Sequence, residues 1–284
     1  MMLDSLQQSA PLAVTAAAVL GLLVGSFLNV VIHRVPRMLE REWAQQAAEV
    51  RGEHAPAEER YDLIVPRSHC PSCGHRIGAL ENIPLLSWLR QRGKCTACGA
   101  SIPARYPIVE LATGALSAIA VWRFGATAEG LGAVVLTCFL IALAFIDLDT
   151  QLLPDSMTLP LLWLGLLFNL SGVFAPLPDA VIGAMAGYLS LWSIYWLFKL
   201  ATGKEGMGYG DFKLLAALGA WFGWTALPAV ILLASVVGAA VGIVLIVAAR
   251  HGREVPIPFG PYLAGAGLLA LYFRGPLANL FGVG

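Results

Sequence analysis

Charge is what this sequence has least of. Asp, Glu, Lys and Arg make up 13% of its 284 residues, about half of the roughly 25% usual in soluble domains. Set against 58% hydrophobic residues, that scarcity excludes an ordinary soluble globule. The apolar residues gather in runs near the roughly 20 residues that span a bilayer. The expected fold class is therefore an all-α polytopic membrane protein. No Lys or Arg precedes Arg34. Without the basic n-region of a secretory signal peptide, the first apolar run is expected to be a retained helix. A Gly-rich nucleotide loop following a strand is also missing, as is any nucleic-acid motif, so no nucleic-acid partner is expected. Cysteine is scarce too, five residues in all, but four of them stand in two pairs.

The apolar runs read as about eight transmembrane helices. They lie near residues 11–32, 106–124, 131–146, 156–174, 180–200, 212–227, 229–249 and 258–273. Positive charge sets the orientation. With the Met1 end outside, only Arg123 and Arg274 of the 18 Lys and Arg face outward. Three domains follow: residues 1–32 as the first transmembrane helix, 33–105 as a small cytoplasmic domain, and 106–284 as a seven-helix membrane core. Residues 38–62 are charged and Ala-rich and suit a surface helix or a mobile loop. Glycines four apart (Gly21/Gly25, Gly183/Gly187, Gly219/Gly223, Gly238/Gly242) are expected to let helix backbones approach closely.

The polar stretch contains Cys70-Pro71-Ser72-Cys73-Gly74 and Cys95-Thr96-Ala97-Cys98-Gly99. Paired Cys-x-x-Cys knuckles suit a tetrahedral zinc site, closed and therefore structural. The competing reading is a disulfide, which a reducing cytoplasmic setting disfavours. His69 and His75 flank the first pair as alternative ligands. Cys138 falls mid-span, where a small apolar filler is expected.

Two carboxylates stand at the ends of apolar runs. Asp147 closes the third span and Asp211 opens the sixth, after Gly206-Met207-Gly208-Tyr209-Gly210. Both fall on the cytoplasmic boundary by the count of spans. Ionisable groups at membrane depth point to function. Two carboxylates brought close share a proton, so one activates water while the other polarises a peptide carbonyl. Other readings remain open on spacing alone. Asp211 suits an N-cap, as does Asp155 before Ser156, and Asp149 suits a solvated loop charge. A proton-coupled transporter would also hold acids at helix ends, and a scaffold presenting a zinc module would explain only the cysteines.

Phe145-Ile146-Asp147-Leu148-Asp149, with Leu152-Leu153-Pro154-Asp155 and Thr158-Leu159-Pro160, resembles the first catalytic motif of the type IV prepilin leader peptidases. Gly206-Met207-Gly208-Tyr209-Gly210-Asp211-Phe212-Lys213 resembles their second, which also marks the wider GxGD class of membrane aspartyl proteases. The tetra-cysteine domain with Glu81-Asn82-Ile83-Pro84, Gly25-Ser26-Phe27-Leu28-Asn29-Val30 and Pro258-Phe259-Gly260-Pro261-Tyr262 are further family marks. The resemblance implies a bifunctional enzyme of the bacterial inner membrane. It implies cleavage of prepilin and pseudopilin leaders after Gly on the cytoplasmic side. N-methylation of the new terminal residue, usually Phe, would follow, with S-adenosylmethionine as donor. It further implies Asp147 and Asp211 as the catalytic pair, to the exclusion of Asp149. Zinc is implied on Cys70, Cys73, Cys95 and Cys98, and methyl transfer by the cytoplasmic domain around Glu81. Type IV pilus biogenesis or type II secretion would be the process served.

Overall fold

A computed structural model describes residues 10–53, 60–248 and 257–273. Arg250, Arg253 and Arg274, which enter the charge count that sets the expected orientation, lie outside the described residues, as do residues 1–9. The chain forms two compact units, Met1–Ala126 and Thr127–Gly284. Among the described residues every extended element is helical, with only two isolated β-bridges, His69↔Arg76 and Lys94↔Ser101.

The first unit contains α1 (Ala10–Val50), a short α2 (Leu86–Arg90) and α3 (Arg105–Phe124). The sequence reading ended the first span at Ile32; α1 instead runs through Pro36 to Val50. The residues beyond Pro36 are rich in Ala, Glu, Gln and Arg, all strong helix formers, so the surface helix continues the span. Helices α1 and α3 pack through small residues. A methyl group on Gly25 would lie 2.7 Å from Glu110 Cα, and one on Gly21 2.9 Å from Gly114 Cα. Such contacts replace the hydrophobic drive that lipid cannot provide. Helix α3 belongs to this unit, whereas the sequence reading grouped it with the later helices.

The second unit contains α4 (Ala128–Thr150), α5 (Asp155–Asn169), α6 (Leu177–Thr202), α7 (Tyr209–Phe222), α8 (Leu227–Ala248) and α9 (Gly260–Tyr272). Its centre is α7. From Asp211 to Phe222 only Lys213 is not buried, the mark of a helix covered on every side. Gly183 and Gly187 of α6 press against the backbone of α7, Gly183 on Gly219 and Gly187 on Leu215. At the far end Asn169 is fully buried. Its Nδ2 donates to Ala220 O and Trp221 O, and its Oδ1 accepts from the Phe174 and Ala175 N–H groups. One side chain thus satisfies the last carbonyls of α7, which have no partner within the helix.

All eight expected spans appear as helices. Among the described residues, five helices or helix-containing segments are long and apolar enough to cross a membrane. The others, α5, α7 and α9, have 15, 14 and 13 residues. At about 1.5 Å per residue they cover roughly 20–22 Å, short of a hydrocarbon layer of about 30 Å.

Candidate active site and metal centre

The N-termini of α5, α7 and α9 and the C-terminus of α4 meet around one cavity of about 420 Å³. Asp147 and Asp211 both line it, and both are buried, at 4% and 7% exposure. Asp149 is exposed and does not line the cavity. Residues two apart on a helix point to nearly opposite sides, so α4 turns Asp147 inward.

Local sequence explains how each carboxylate is held. Gln151 follows α4 in the left-handed conformation (φ 56°, ψ 31°), and its N–H bonds Asp147 O. The chain therefore leaves the helix just after Asp147 and folds back through Leu152–Pro154 into α5. Gly208 is the N-cap residue of α7, which places Asp211 in the first turn. The N-cap reading of Asp211 fails on this geometry, because the cap lies three residues earlier. The same correction applies to Asp155. Pro154 precedes α5 as its cap residue, and Asp155 instead pairs with Lys213 Nζ at 2.6 and 2.7 Å.

Leu153, between α4 and α5, meets the starts of both α7 and α9. A methyl group on Gly210 would stand 2.7 Å from Leu153 Cβ, and one on Gly260 3.2 Å from Leu153 Cδ1. The Gly260 N–H donates to Asp147 Oδ2 at 2.8 Å. Also in the lining, Gly206 lies on the Phe198 ring, where an added Cβ would be 2.9 Å from Cδ1. Glu205 beside it pairs with Lys199 Nζ at 2.8 Å, and Lys199 also donates to Tyr195 Oη. Two of the four cavity acids, Asp155 and Glu205, are thus matched by lysines. The arrangement presents two buried carboxylates and a backbone of glycines to an open space. That is the equipment for activating water against a carbonyl laid along the glycines.

The four cysteines of the first unit form a separate cluster. Their sulfurs all lie within 4.8 Å of one another. Cys70 and Cys98 sulfurs are 3.8 Å apart, Cys73 and Cys95 sulfurs 4.0 Å. Disulfide bonding, at about 2.05 Å, is excluded by these separations; tetrahedral thiolates around a metal at about 2.3 Å are about 3.8 Å apart. The donor set fits zinc. The two knuckles repeat one design. Gly74 and Gly99 take positive φ (72° and 73°), and their N–H groups bond the carbonyls of Cys70 and Cys95. His69 and His75 stay outside the cluster. His75 instead meets Glu81, whose carboxylate also accepts from Gly78 N–H and Thr96 Oγ1. These bonds, the Gly78 amide first, then Thr96 and His75, hold Glu81 down to about 2. Glu81 therefore ties the first knuckle to the second, a role its sequence neighbourhood did not reveal.

Residues 19–124 match the family model described as the bacterial peptidase A24 N-terminal domain, and residues 134–243 that of the type IV leader peptidase family. Several curated proteins are similar along nearly the whole chain. A prepilin leader peptidase/N-methyltransferase of Aeromonas salmonicida is 62% identical over 253 residues, 88% of this chain and 87% of that protein. The protein of that name from Stutzerimonas stutzeri is 60% identical, covering 93% of this chain and 92% of its own. The one from Pseudomonas aeruginosa is 57% identical, covering 96% and 95%. No solved structure matches. With such identity over almost its full length, the chain is a multi-pass membrane enzyme that belongs to the type IV leader peptidase family.

Proposed function

We propose that this chain removes the leader peptide of type IV prepilins and pseudopilins with Asp147 and Asp211 as a water-activating dyad. The observation that carries the reading is the meeting of two buried carboxylates at one cavity beside the glycines of residues 206–210. One ionised carboxylate takes a proton from water, and the oxygen so activated adds to the scissile carbonyl carbon. The other, protonated, carboxyl donates to the carbonyl oxygen; collapse of the resulting diol breaks the C–N bond, the leaving amine nitrogen taking up the proton first drawn from water and the diol returning one to the second carboxylate. Two adjacent acids favour this division, because both cannot ionise cheaply. Cleavage falls after Gly, on the cytoplasmic face of the inner membrane, with the chain's N-terminus outside. The enzyme then methylates the new terminal residue, usually Phe, with S-adenosylmethionine as donor. It serves type IV pilus assembly, type II secretion or both.

Zinc on Cys70, Cys73, Cys95 and Cys98 has a structural part in this reading. Four thiolates leave no open coordination position, and the metal orders a segment with little apolar core. Residues 33–105 form the cytoplasmic domain in which methyl transfer resides, and the aspartyl chemistry belongs to residues 106–284.

Purified enzyme in detergent or vesicles, given a prepilin, tests the dyad. Asp147→Asn and Asp211→Asn should each abolish leader removal, and Asp149→Asn should not. Full cleavage by either of the first two would sink the proposal. Metal analysis of the same preparation should find about one zinc per chain, as a single closed four-thiolate site requires.

A further inference from the structure

Residues Ile257, Pro258 and Phe259, just before helix α9, line the cavity without contributing an acid. The first residue of α9 nonetheless touches the reaction centre. The Gly260 N–H donates to Asp147 Oδ2 at 2.8 Å, in a buried contact. The first N–H groups of any helix have no acceptor within it. In α9, Pro261 has no N–H at all. Tyr262 and Leu263 turn theirs back to Phe259 O, at 3.1 and 3.2 Å. Gly260 is thus left with the leading donor of the helix, and that donor faces Asp147.

Only glycine fits at this point. A Cβ on residue 260 would stand 2.6 Å from Asp147 Oδ2 and 3.1 Å from its Cγ. Both are shorter than ordinary van der Waals contacts, carbon to oxygen and carbon to carbon respectively, and Leu153 blocks retreat at 3.2 Å. The helix start is itself seated. The Tyr262 ring covers Gly238 of α8, where a Cβ would be 3.0 Å from Cδ2. The amide is therefore carried on a braced element.

We infer that Gly260 is a positioning residue for peptide hydrolysis, its backbone N–H fixing the Asp147 carboxylate through Oδ2 so that Oδ1 meets the attacking water. The inference rests on the dyad reading above. An amide N–H can only donate, so the oxygen facing it must accept. The accepted bond makes Oδ2 the less basic oxygen, so a proton shared between the aspartates is disfavoured there. Asp147 Oδ1 takes the water proton, and Asp211 supplies the proton to the carbonyl oxygen. The late Pro258–Tyr262 motif then has a chemical task. Phe259 and Pro261 shape a helix start with one unshared donor, and Gly260 lets it come within bonding distance.

The test uses the full-length chain in detergent, with kcat and KM measured for leader removal. Gly260→Ala should lower kcat about 10- to 100-fold, the range for losing a hydrogen bond to a charged group, with KM within about twofold. Gly265→Ala, in the same helix but with open space around its Cβ, should cleave like the wild type. A second variant removes the donor without adding bulk. Glycolic acid introduced at position 260 by nonsense suppression replaces the amide N–H by an ester oxygen, and kcat should again fall about 10-fold or more. Wild-type kcat in the ester variant overturns the inference, even where Gly260→Ala is inactive or unfolded. An equal loss in Gly265→Ala also overturns it. Asp147→Asn and Asp211→Asn run in parallel. Full cleavage by either defeats the dyad and this inference with it. If both are inactive while the ester variant cleaves normally, the role of Gly260 alone is lost.

Discussion

Replacing Gly210 by alanine would place a methyl group 2.7 Å from Leu153 Cβ. Ordinary carbon contacts lie at about 3.5–4.0 Å, so about 1 Å must be found. Gly210 does not hold a positive φ, so the penalty is steric rather than conformational. The partner is a Cβ, fixed to its own backbone, and no rotamer change moves it away. The strain must therefore open the gap between the loop after Asp147 and the first turn of α7. Overpacking of this kind costs about 1–3 kcal/mol of stability. A displacement near 1 Å between catalytic groups costs about 100-fold in rate. Gly210→Ala should then remain folded, by thermal unfolding in detergent, yet cleave a synthetic prepilin about 100-fold more slowly. A second substitution sharpens the logic. Leu153→Ala keeps the offending Cβ and should rescue nothing, whereas Leu153→Gly removes it and should restore part of the rate. Wild-type kcat/KM in Gly210→Ala would refute the reasoning, as would equal rescue by both partners.

Four further outcomes follow from the same geometry. Asn169→Leu strands two N–H donors and two carbonyls of the second unit, and should cost about 2–4 kcal/mol at about 1–3 kcal/mol per unsatisfied buried group, softened by local relaxation; unchanged unfolding would contradict it. Lys213→Asp or Asp155→Lys should each slow leader removal several-fold, and the double exchange should recover part of the loss, since the pair links the starts of α5 and α7; kinetics show whether the exchange helps. Glu81→Ala should weaken zinc retention about 10- to 100-fold against a chromophoric chelator, the usual effect of removing groups that brace metal ligands; an unchanged competition curve would count against the brace. Asp62 accepts from the Val65 and Ile64 N–H groups and from Arg60, and these bonds lower its pKa to about 2. A depressed carboxyl stabilises the folded turn fully above its unfolded pKa of about 3.9 and loses that contribution as pH falls through about 2. Hydrogen exchange at Ile64 and Val65 should accordingly stay protected from pH 6 to about 4 and weaken below it; loss of protection already at pH 6 would contradict the assignment.

The helices were legible because apolar runs and their polar breaks are local properties, and the paired Cys-x-x-Cys signature is local as well. The two aspartates could be found by counting spans and by resemblance, yet spacing could not separate a cap from a cavity acid. That distinction turned on Gly208 and Pro154 taking the cap positions. The rest depended on residues far apart in sequence. Asp155 and Lys213 are 58 positions apart, and Asp147 and Gly260 are 113 apart. No periodicity encodes such partners. The continuation of α1 past Ile32 escaped for a different reason. A change from apolar to charged composition marks the edge of a bilayer, but a helix needs only continued helix formers to cross it.

Helix α7 covers about 21 Å, leaving up to about 9 Å of a 30 Å hydrocarbon layer to be made up by loop and cavity. With the far end of α7 at one bilayer surface, the cavity at its start would stand level with acyl chains rather than headgroups. Under the proposed function bilayer thickness would become a kinetic variable: lipids a few carbons longer or shorter would raise or lower a membrane-anchored prepilin relative to carboxylates whose depth is set by protein packing. In vesicles of graded chain length, turnover should pass through an optimum, as it would for two rulers that agree at only one mark.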